Sequence, residues 1–403
     1  MKRRSLMAGA ALAAAPLARP HAQSPVTVRW WYHFDDPKAA PAELVSAFEA
    51  ANPGIKVQAE NIPWGGGADY DTRLYTALIA GNGPDAAMVK FNNMPRLMEM
   101  EALAPLDAMI DAWASRTDIS DDLWRLHRAP DGKRYYLPVQ YVVLYLYVRQ
   151  DWLAQKGLKL PGTFDEFLTA AQALTGGERW GFGLRGGAGG HDHWCSFVLG
   201  GGAKMEKGGL VSAEALAANR WFIGLHTDKH VFPPSAPNDG FQQVIANMKA
   251  GRTAMTIHHI GSANDMVAAL GDGITAVPVP RGPQGKGWTS FGDGSNAVMA
   301  ASRNREAAWK WIAFLSTGGN NVAFNKLSGQ VTVTTSGARN WALQPQRFMD
   351  ATTASLPIAA TLPPTSQTAD FTRTVWPQTT QKALLGQISP DDMMRVFDKH
   401  YFG

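Results

Sequence analysis

The sequence predicts an α/β fold, with parallel strands layered by helices. Strand and helix patterns alternate between residues 26 and 90 at a pace that implies helical crossovers between parallel strands. The 403 residues are 45% hydrophobic and 18% charged, which supplies real cores and excludes a disordered chain. No apolar run reaches the roughly 18 residues that span a bilayer, which excludes a polytopic membrane protein. The length admits two or three domains.

The elements follow in order. Residues 26–32, rich in β-branched and aromatic side chains, read as a buried strand. Residues 41–51 place Leu44, Val45, Phe48 and Ala51 at helical spacing, and Asn52-Pro53-Gly54 ends that helix. Residues 55–60 form the next strand. Residues 69–80 carry Tyr70, Leu74, Ala77 and Leu78 as a helix stopped by Gly81-Asn82-Gly83-Pro84, and residues 85–90 form a third strand. Residues 135–148 are the strongest β signal in the chain. Thr163, with Glu166 three residues on, caps a helix over 164–174. Glycine-rich loops at 186–190 and 200–202 flank Trp194, and helices recur at 212–226, 241–250 and 304–315. The last helix opens at Ser389-Pro390, with Ser389 as its cap.

The first twenty-two residues read as an export signal. Lys2-Arg3-Arg4 is a positive start, residues 6–18 are apolar but too short to span, and small residues follow up to a cleavage point after Ala22. Arg3-Arg4-Ser5-Leu6-Met7 resembles a twin-arginine signal; the alternative is an ordinary secretion signal with a basic start. The mature chain is expected in a periplasm. The formal charge of +4 is carried by this segment, which holds four basic and no acidic residues. Subtracting four leaves zero, so the remainder has no charge-based case for nucleic acid or anionic lipid.

Several chemistries are excluded by motif. There is no G-x-S-x-G elbow, no phosphate-binding P-loop and no G-x-G-x-x-G after the first strand. The single cysteine, Cys195, excludes a disulfide framework. His191-Asp192-His193-Trp194-Cys195 is the one metal-like cluster, but its spacing is not that of a zinc site, and a lone cysteine there is more simply a small core residue. No metal or cofactor is expected. His258-His259 is a second pair, read equally well as a strand end with one ring in and one out. Of 14 tryptophans, Trp152, Trp309 and Trp311 sit at helical core positions, whereas Trp64 and Trp194 adjoin glycine runs. An aromatic face held at a loop edge is what the C–H face of a sugar stacks on.

Five stretches, taken in order, carry a family resemblance. The opening strand with Trp30-Trp31 precedes a helix ending in Phe48-Glu49. Gly81-Asn82-Gly83-Pro84-Asp85-Ala86-Ala87-Met88 runs on to Leu103-Ala104-Pro105-Leu106-Asp107. Tyr136-Leu137-Pro138 leads to Leu146-Tyr147, Asp151-Trp152-Leu153, Gly157, Pro161 and Thr163-Phe164-Asp165-Glu166-Phe167. Met248-Lys249-Ala250-Gly251-Arg252-Thr253-Ala254-Met255 follows. Last come Val277-Pro278-Val279-Pro280, Gly292-Asp293-Gly294-Ser295-Asn296-Ala297-Val298, Ser302-Arg303-Asn304 and residues 307–315. Over residues 26–335 the chain resembles the extracellular solute-binding proteins of carbohydrate-type ABC importers, the maltose-binding-protein-like group. It departs at Tyr147-Val148-Arg149, where the family usually has Tyr-Asn, and at Thr332, where it often has proline.

The resemblance implies a two-lobe periplasmic binding protein fold with a hinge of crossing segments and a ligand cleft between the lobes. Lobe one would be 25–138 plus 290–345, and lobe two 139–289 plus 346–403. Crossings would lie near 138–141, 289–292 and 345–355. The implied function is non-enzymatic: hinge closure on a sugar or polyol, delivered by a monomer to importer membrane subunits. A glycerophosphodiester, polyamine or organic acid is the alternative on the same scaffold, and an exported hydrolase the remote one. Carried over position by position, the implied ligand-binding residues are Tyr32, His33, Asp35, Asn92, Gln140, Tyr141, Trp194, His258, His259, Gly292, Asp293, Arg373 and Trp376. Trp64 joins them from its glycine-flanked setting alone.

Overall fold

The computed structural model describes residues 25–34, 40–62, 68–187, 189–339, 341, 343–363, 365 and 367–403. The expected export signal at residues 1–22, Asp35 and Trp64 lie outside these. Among the described residues no helix is long and apolar enough to cross a membrane.

The strands, in chain order, are β1 (Val26–Tyr32), β2 (Ile55–Asn61), β3 (Ala86–Val89), β4 (Tyr136–Val143), β5 (Tyr145–Arg149), β6 (Trp180–Gly183), β7 (Thr253–His258), β8 (Ile274–Val277), β9 (Thr289–Val298), β10 (Val331–Thr332) and β11 (Ala359–Ala360). They form two sheets. One has the order β10-β4-β9-β3-β1-β2, with β11 added beside β9; the other has the order β6-β7-β5-β8. As the alternating pattern requires, β1 lies parallel to β2 and β3, through the helices Ala42–Ala51 and Ala68–Ile79. The fold is α/β with two lobes, one built on each sheet.

Local chemistry explains the element ends. Thr163 and Glu166 make the expected reciprocal cap: the Glu166 N–H donates to Thr163 Oγ1 at 3.3 Å, and the Thr163 N–H donates to Glu166 Oε2 at 3.0 Å. Ser389 Oγ accepts the Asp392 N–H at 3.0 Å, and Pro390 opens the last helix, Pro390–Phe402.

The run 135–148 is two strands rather than one. The chain leaves the first sheet after Val143 and enters the second at Tyr145. Leu144 is the joint, and its backbone stays tied to β9: its N–H donates to the Ser290 carbonyl at 3.2 Å, and Thr289 Oγ1 donates to its carbonyl at 2.6 Å. Upstream, β4 carries a bulge between Pro138 and Gln140 against β9. Pro138 brings no N–H to the ladder, and a bulge is where a strand accommodates that. The carbonyls freed there are captured by buried side chains. Asn321 and Asn325 Nδ2 donate to the Val139 carbonyl at 2.8 and 2.9 Å, and Ser316 Oγ donates to the Pro138 carbonyl at 2.7 Å.

Packing follows the sheets. Trp30, Phe48, Trp311 and Phe324 anchor the core of the first. Trp194, Phe197, Phe182 and Phe397 anchor that of the second. A further core links them at the joint, combining Tyr141 and Val143 of β4 with Tyr145 and Tyr147 of β5. Phe348 and Met349 of the helix Gln346–Ser355 pack into it. The strand contact between the C-terminal segment and the first sheet comes at β11, where Ala359 pairs with Thr289.

Candidate functional site

A cavity of about 170 Å³ lies at the joint between the sheets. Its floor is the strand pair that connects them: Val142 and Leu144 on one side, Ser290 and Gly292 on the other. Its wall comes from the second sheet, where β6 and β7 run parallel and end at Gly183 and His258. Arg185 follows β6; Ile257, His258 and His259 close β7. Asp192 and His193 project from the helix His191–Val198, and Phe241 from the helix Phe241–Lys249. The cavity thus sits at carboxyl ends of strands, where open α/β sheets present their ligand sites.

Hydrogen bonding sets the histidine tautomers. His193 Nε2 faces the Ile257 carbonyl at 2.9 Å and Nδ1 faces the Arg185 N–H at 3.3 Å. A carbonyl can only accept and an N–H can only donate, so His193 is the neutral Nε2–H form. His259 Nδ1 accepts the Gly261 N–H at 3.0 Å, which leaves Nε2 carrying hydrogen in the neutral ring. His258 is only 3% exposed, its Nδ1 faces the His259 carbonyl at 3.4 Å, and its Nε2 has no partner among the described residues.

Electrostatics agree with neutral rings. Burial, reinforced by the Arg185 charge, pushes His193 down to about 3. The same causes bring His259 to about 4, with Lys90 adding to the effect. His258 is held well below the ordinary imidazole value by burial and by His259. Burial also lowers Arg185, against the opposing pull of Asp192. Phe241 organises this wall: the Arg185 guanidinium lies over its ring at 5.5 Å, His258 tilts against it at 4.3 Å and His259 stacks at 5.4 Å. The lining therefore offers one cation, one anion and neutral imidazoles that can donate or accept.

Of the residues singled out in the sequence, the structure gathers His258, His259 and Gly292 on the cavity. Gln140 shares the face of β4 that carries Val142, two residues on. Its side chain lies across Gly294, and its buried Oε1 has no partner among the described residues. Tyr141 points to the opposite face and stacks on Phe291 at 6.3 Å. Tyr32 is packed in the first core, stacked on Trp30 at 4.8 Å. His33 is buried edge-on to Tyr70 at 5.0 Å. Asn92 belongs to the turn Phe91–Asn93 after β3, and Asp293 to β9; their side chains lie outside the described residues. Arg373 is exposed on the wide turn Phe371–Val375, and its charge reaches Asp71 on a helix of the first sheet.

Two tryptophans take core positions. Trp194 stands on a helix rather than at a loop edge. It is fully buried, its Nε1–H donating to Asn219 Oδ1 at 2.9 Å, with Phe397 edge-on at 5.4 Å. Trp376 is equally buried and packs on Gly190. Residues 191–198 form a helix that starts after the glycine-rich loop at Gly190, because Cys195 and Phe197 bury against the second sheet's core. Among the described residues no group of three or more His, Cys, Asp or Glu could hold a metal ion.

Arg185, Asp192, His193 and Phe241 are the charged, imidazole and aromatic lining residues that the sequence did not assign to the ligand; Val142, Leu144, Val244, Ile257 and Ser290 are further ones. One signal was present. Arg185 precedes a glycine run, and Gly189, at φ +79°, brings its backbone against the guanidinium where a Cβ would collide.

Comparison with known proteins agrees with this architecture. The structure of the sugar-binding protein MalE from the phytopathogen Xanthomonas citri superposes with TM-score 0.81 at 20% identity, covering 93% of this chain and 96% of that one. A solute-binding protein from Thermotoga lettingae bound with alpha-D-tagatose gives 0.74 at 21% identity, covering 93% and 98%. A Brucella abortus protein described as a binding protein is 27% identical over 371 residues, 88% of this chain and 86% of its own. The family model for bacterial extracellular solute-binding proteins matches residues 33–321. With two lobes, a cavity at their joint and that match over most of its length, the chain belongs to the bacterial extracellular solute-binding protein family, whose members bind and do not catalyse.

Proposed function

We propose that this chain is the receptor of an ABC-type importer, capturing a small polar solute between its lobes and delivering it unaltered to membrane subunits. The observation that carries this reading is the cavity at the carboxyl ends of β6 and β7, floored by the strand pair that joins the two sheets. A solute bound there touches the joint itself, so it stabilises one inter-lobe angle over others. The lobes divide as 25–138 with 290–345, and 139–289 with 346–403, residues 139–143 being the crossing that stays paired to β9 of the first sheet. The receptor is exported as a monomer through the segment 1–22 and acts in the periplasm.

The favoured ligand is a sugar or polyol. Neutral imidazoles beside a single Arg185–Asp192 charge pair suit hydroxyl groups, which donate and accept by turns. Structural relatives bound with alpha-D-tagatose or acarbose support the class. Native mass spectrometry of freshly purified protein should reveal a retained small solute. A thermal-shift screen over sugars and polyols should find a ligand that raises the melting temperature by several degrees, since occupancy at 100 times Kd adds about 2.7 kcal/mol. No retained mass and no shift across the screen would overturn the sugar reading. A second reading, an organic acid or glycerophosphodiester, is favoured by Arg185 in the lining and by the Lys90 charge that reaches His259. It is distinguished by affinity that falls steeply with added salt.

A further inference from the structure

The floor of the cavity is asymmetric. On β4, Gln140 pairs with Gly294 and Val142 with Gly292, while Leu144 is bonded to Ser290. One strand presents three sizeable side chains and the other almost none. The two glycines have different reasons to be small. At Gly294 a Cβ would stand 2.5 Å from Gln140 Cγ, so packing excludes it. At Gly292 neither packing nor backbone does: its φ is not in the left-handed region, and among the described residues a Cβ would meet only Val142, at 3.7 Å. Glycine in a strand interior weakens the strand. What lies in front of Gly292 is the cavity.

A second observation points the same way. His258, on the facing wall, is 3% exposed and carries a buried Nε2 without a partner among the described residues. A buried imidazole nitrogen left unpaired is costly, and a ligand hydroxyl between it and the floor would relieve it.

We infer that Gly292 sets the size limit of the solute: the bound molecule lies against its bare backbone and is held from the opposite wall by His258 Nε2. The inference rests on the receptor reading above and deepens it. The space is small. At about 170 Å³ the cavity is comparable to one of roughly 150 Å³ that holds benzene, so it suits a compact solute rather than an extended chain. A side chain at 292 takes that space without disturbing the fold.

The test uses the full mature chain and the variants Gly292→Ala and Gly292→Val. Probes are xylitol, D-glucose, alpha-D-tagatose, maltose and maltotriose, read by calorimetry and thermal shift. Expected are unliganded melting temperatures within about two degrees of the parent, and at least tenfold weaker binding by Gly292→Val of the largest probe the parent accepts. Smaller probes should be affected less. Equal affinity of parent and Gly292→Val for every accepted probe would overturn the inference, as would a drop in unliganded stability that accounts for the loss. If the parent accepts no probe, the sugar reading fails, and Gly292→Cys still tests the size limit. Cys195 is fully buried, so the parent serves as the unreactive blank. Methyl methanethiosulfonate should label Cys at 292 quickly and a bulky maleimide slowly. No faster labelling than the parent, or equal rates for both reagents, would overturn it.

Discussion

His193 illustrates how a single residue is decided by its partners. Its ring spans two backbone groups, one on each side, and so acts as a strut between β7 and the Arg185 segment. His258 differs by one nitrogen without a partner among the described residues, on a ring that lines the cavity, and the two together make it the imidazole proposed to face the ligand. Both share a titration consequence. His193 and His259 are depressed to about 3 and about 4 in the fold, whereas an unfolded histidine titrates near ~6.5. Between those values the unfolded chain binds protons that the folded chain refuses. Stability therefore rises with pH across the window, is complete above about 6.5, and is lost as pH falls toward 4. The loss should reach on the order of a few kcal/mol by pH 4. Chemical denaturation from pH 7.5 to 4.5 measures it; a flat profile would mean that these rings are solvated.

The bulge in β4 is the element on which the cavity floor depends. By inserting Val139 it turns Gln140 and Val142 onto the cavity side and Tyr141 and Val143 into the joint core. A one-residue slip would exchange those faces. The bulge is held from outside the sheet by Asn321, whose Nδ2 serves both the Val139 and Leu315 carbonyls and whose Oδ1 accepts from Thr332 Oγ1 and the Val333 N–H. Asn321→Ala leaves the Leu315 carbonyl and the Val333 N–H buried and without these partners, at about 1–3 kcal/mol each before relaxation, while the Val139 carbonyl keeps Asn325 and Thr332 keeps Thr334. Urea unfolding should show a loss of at least about 3 kcal/mol, together with weakened ligand binding. A neutral result would mean that the helix Gly318–Ser328 does not hold the register. The split of residues 135–148 was not legible for a related reason. Residues 141–148 are uninterrupted Tyr, Val and Leu, so nothing in their pattern marks Leu144. The change of sheet is set by which strands lie alongside: β9 before Leu144, β7 and β8 after it.

Across the molecule, the two sheets meet through β4–β5 and β9, and through β11 beside β9. Arg373 and Asp71 sense each other from opposite sides of that meeting, and so do Lys90 and His259. Ligand-stabilised closure should draw these groups together and make the particle more compact. Small-angle scattering with and without saturating ligand should show the radius of gyration falling on binding, and an unchanged value would exclude hinge closure. The alternation of strands and helices, the caps at Thr163 and Ser389, and the order of family segments were all present in the chain itself. They rest on contacts within a few residues or on motif order. The choice of which histidine is a strut, which tryptophan is core and which glycine faces open space was made only by tertiary structure. The partners that decide it are distant in sequence: Ile257 for His193, Asn219 for Trp194 and Val142 for Gly292. Hydrogen-bond pairing and burial between such remote groups leave no periodic trace along the chain.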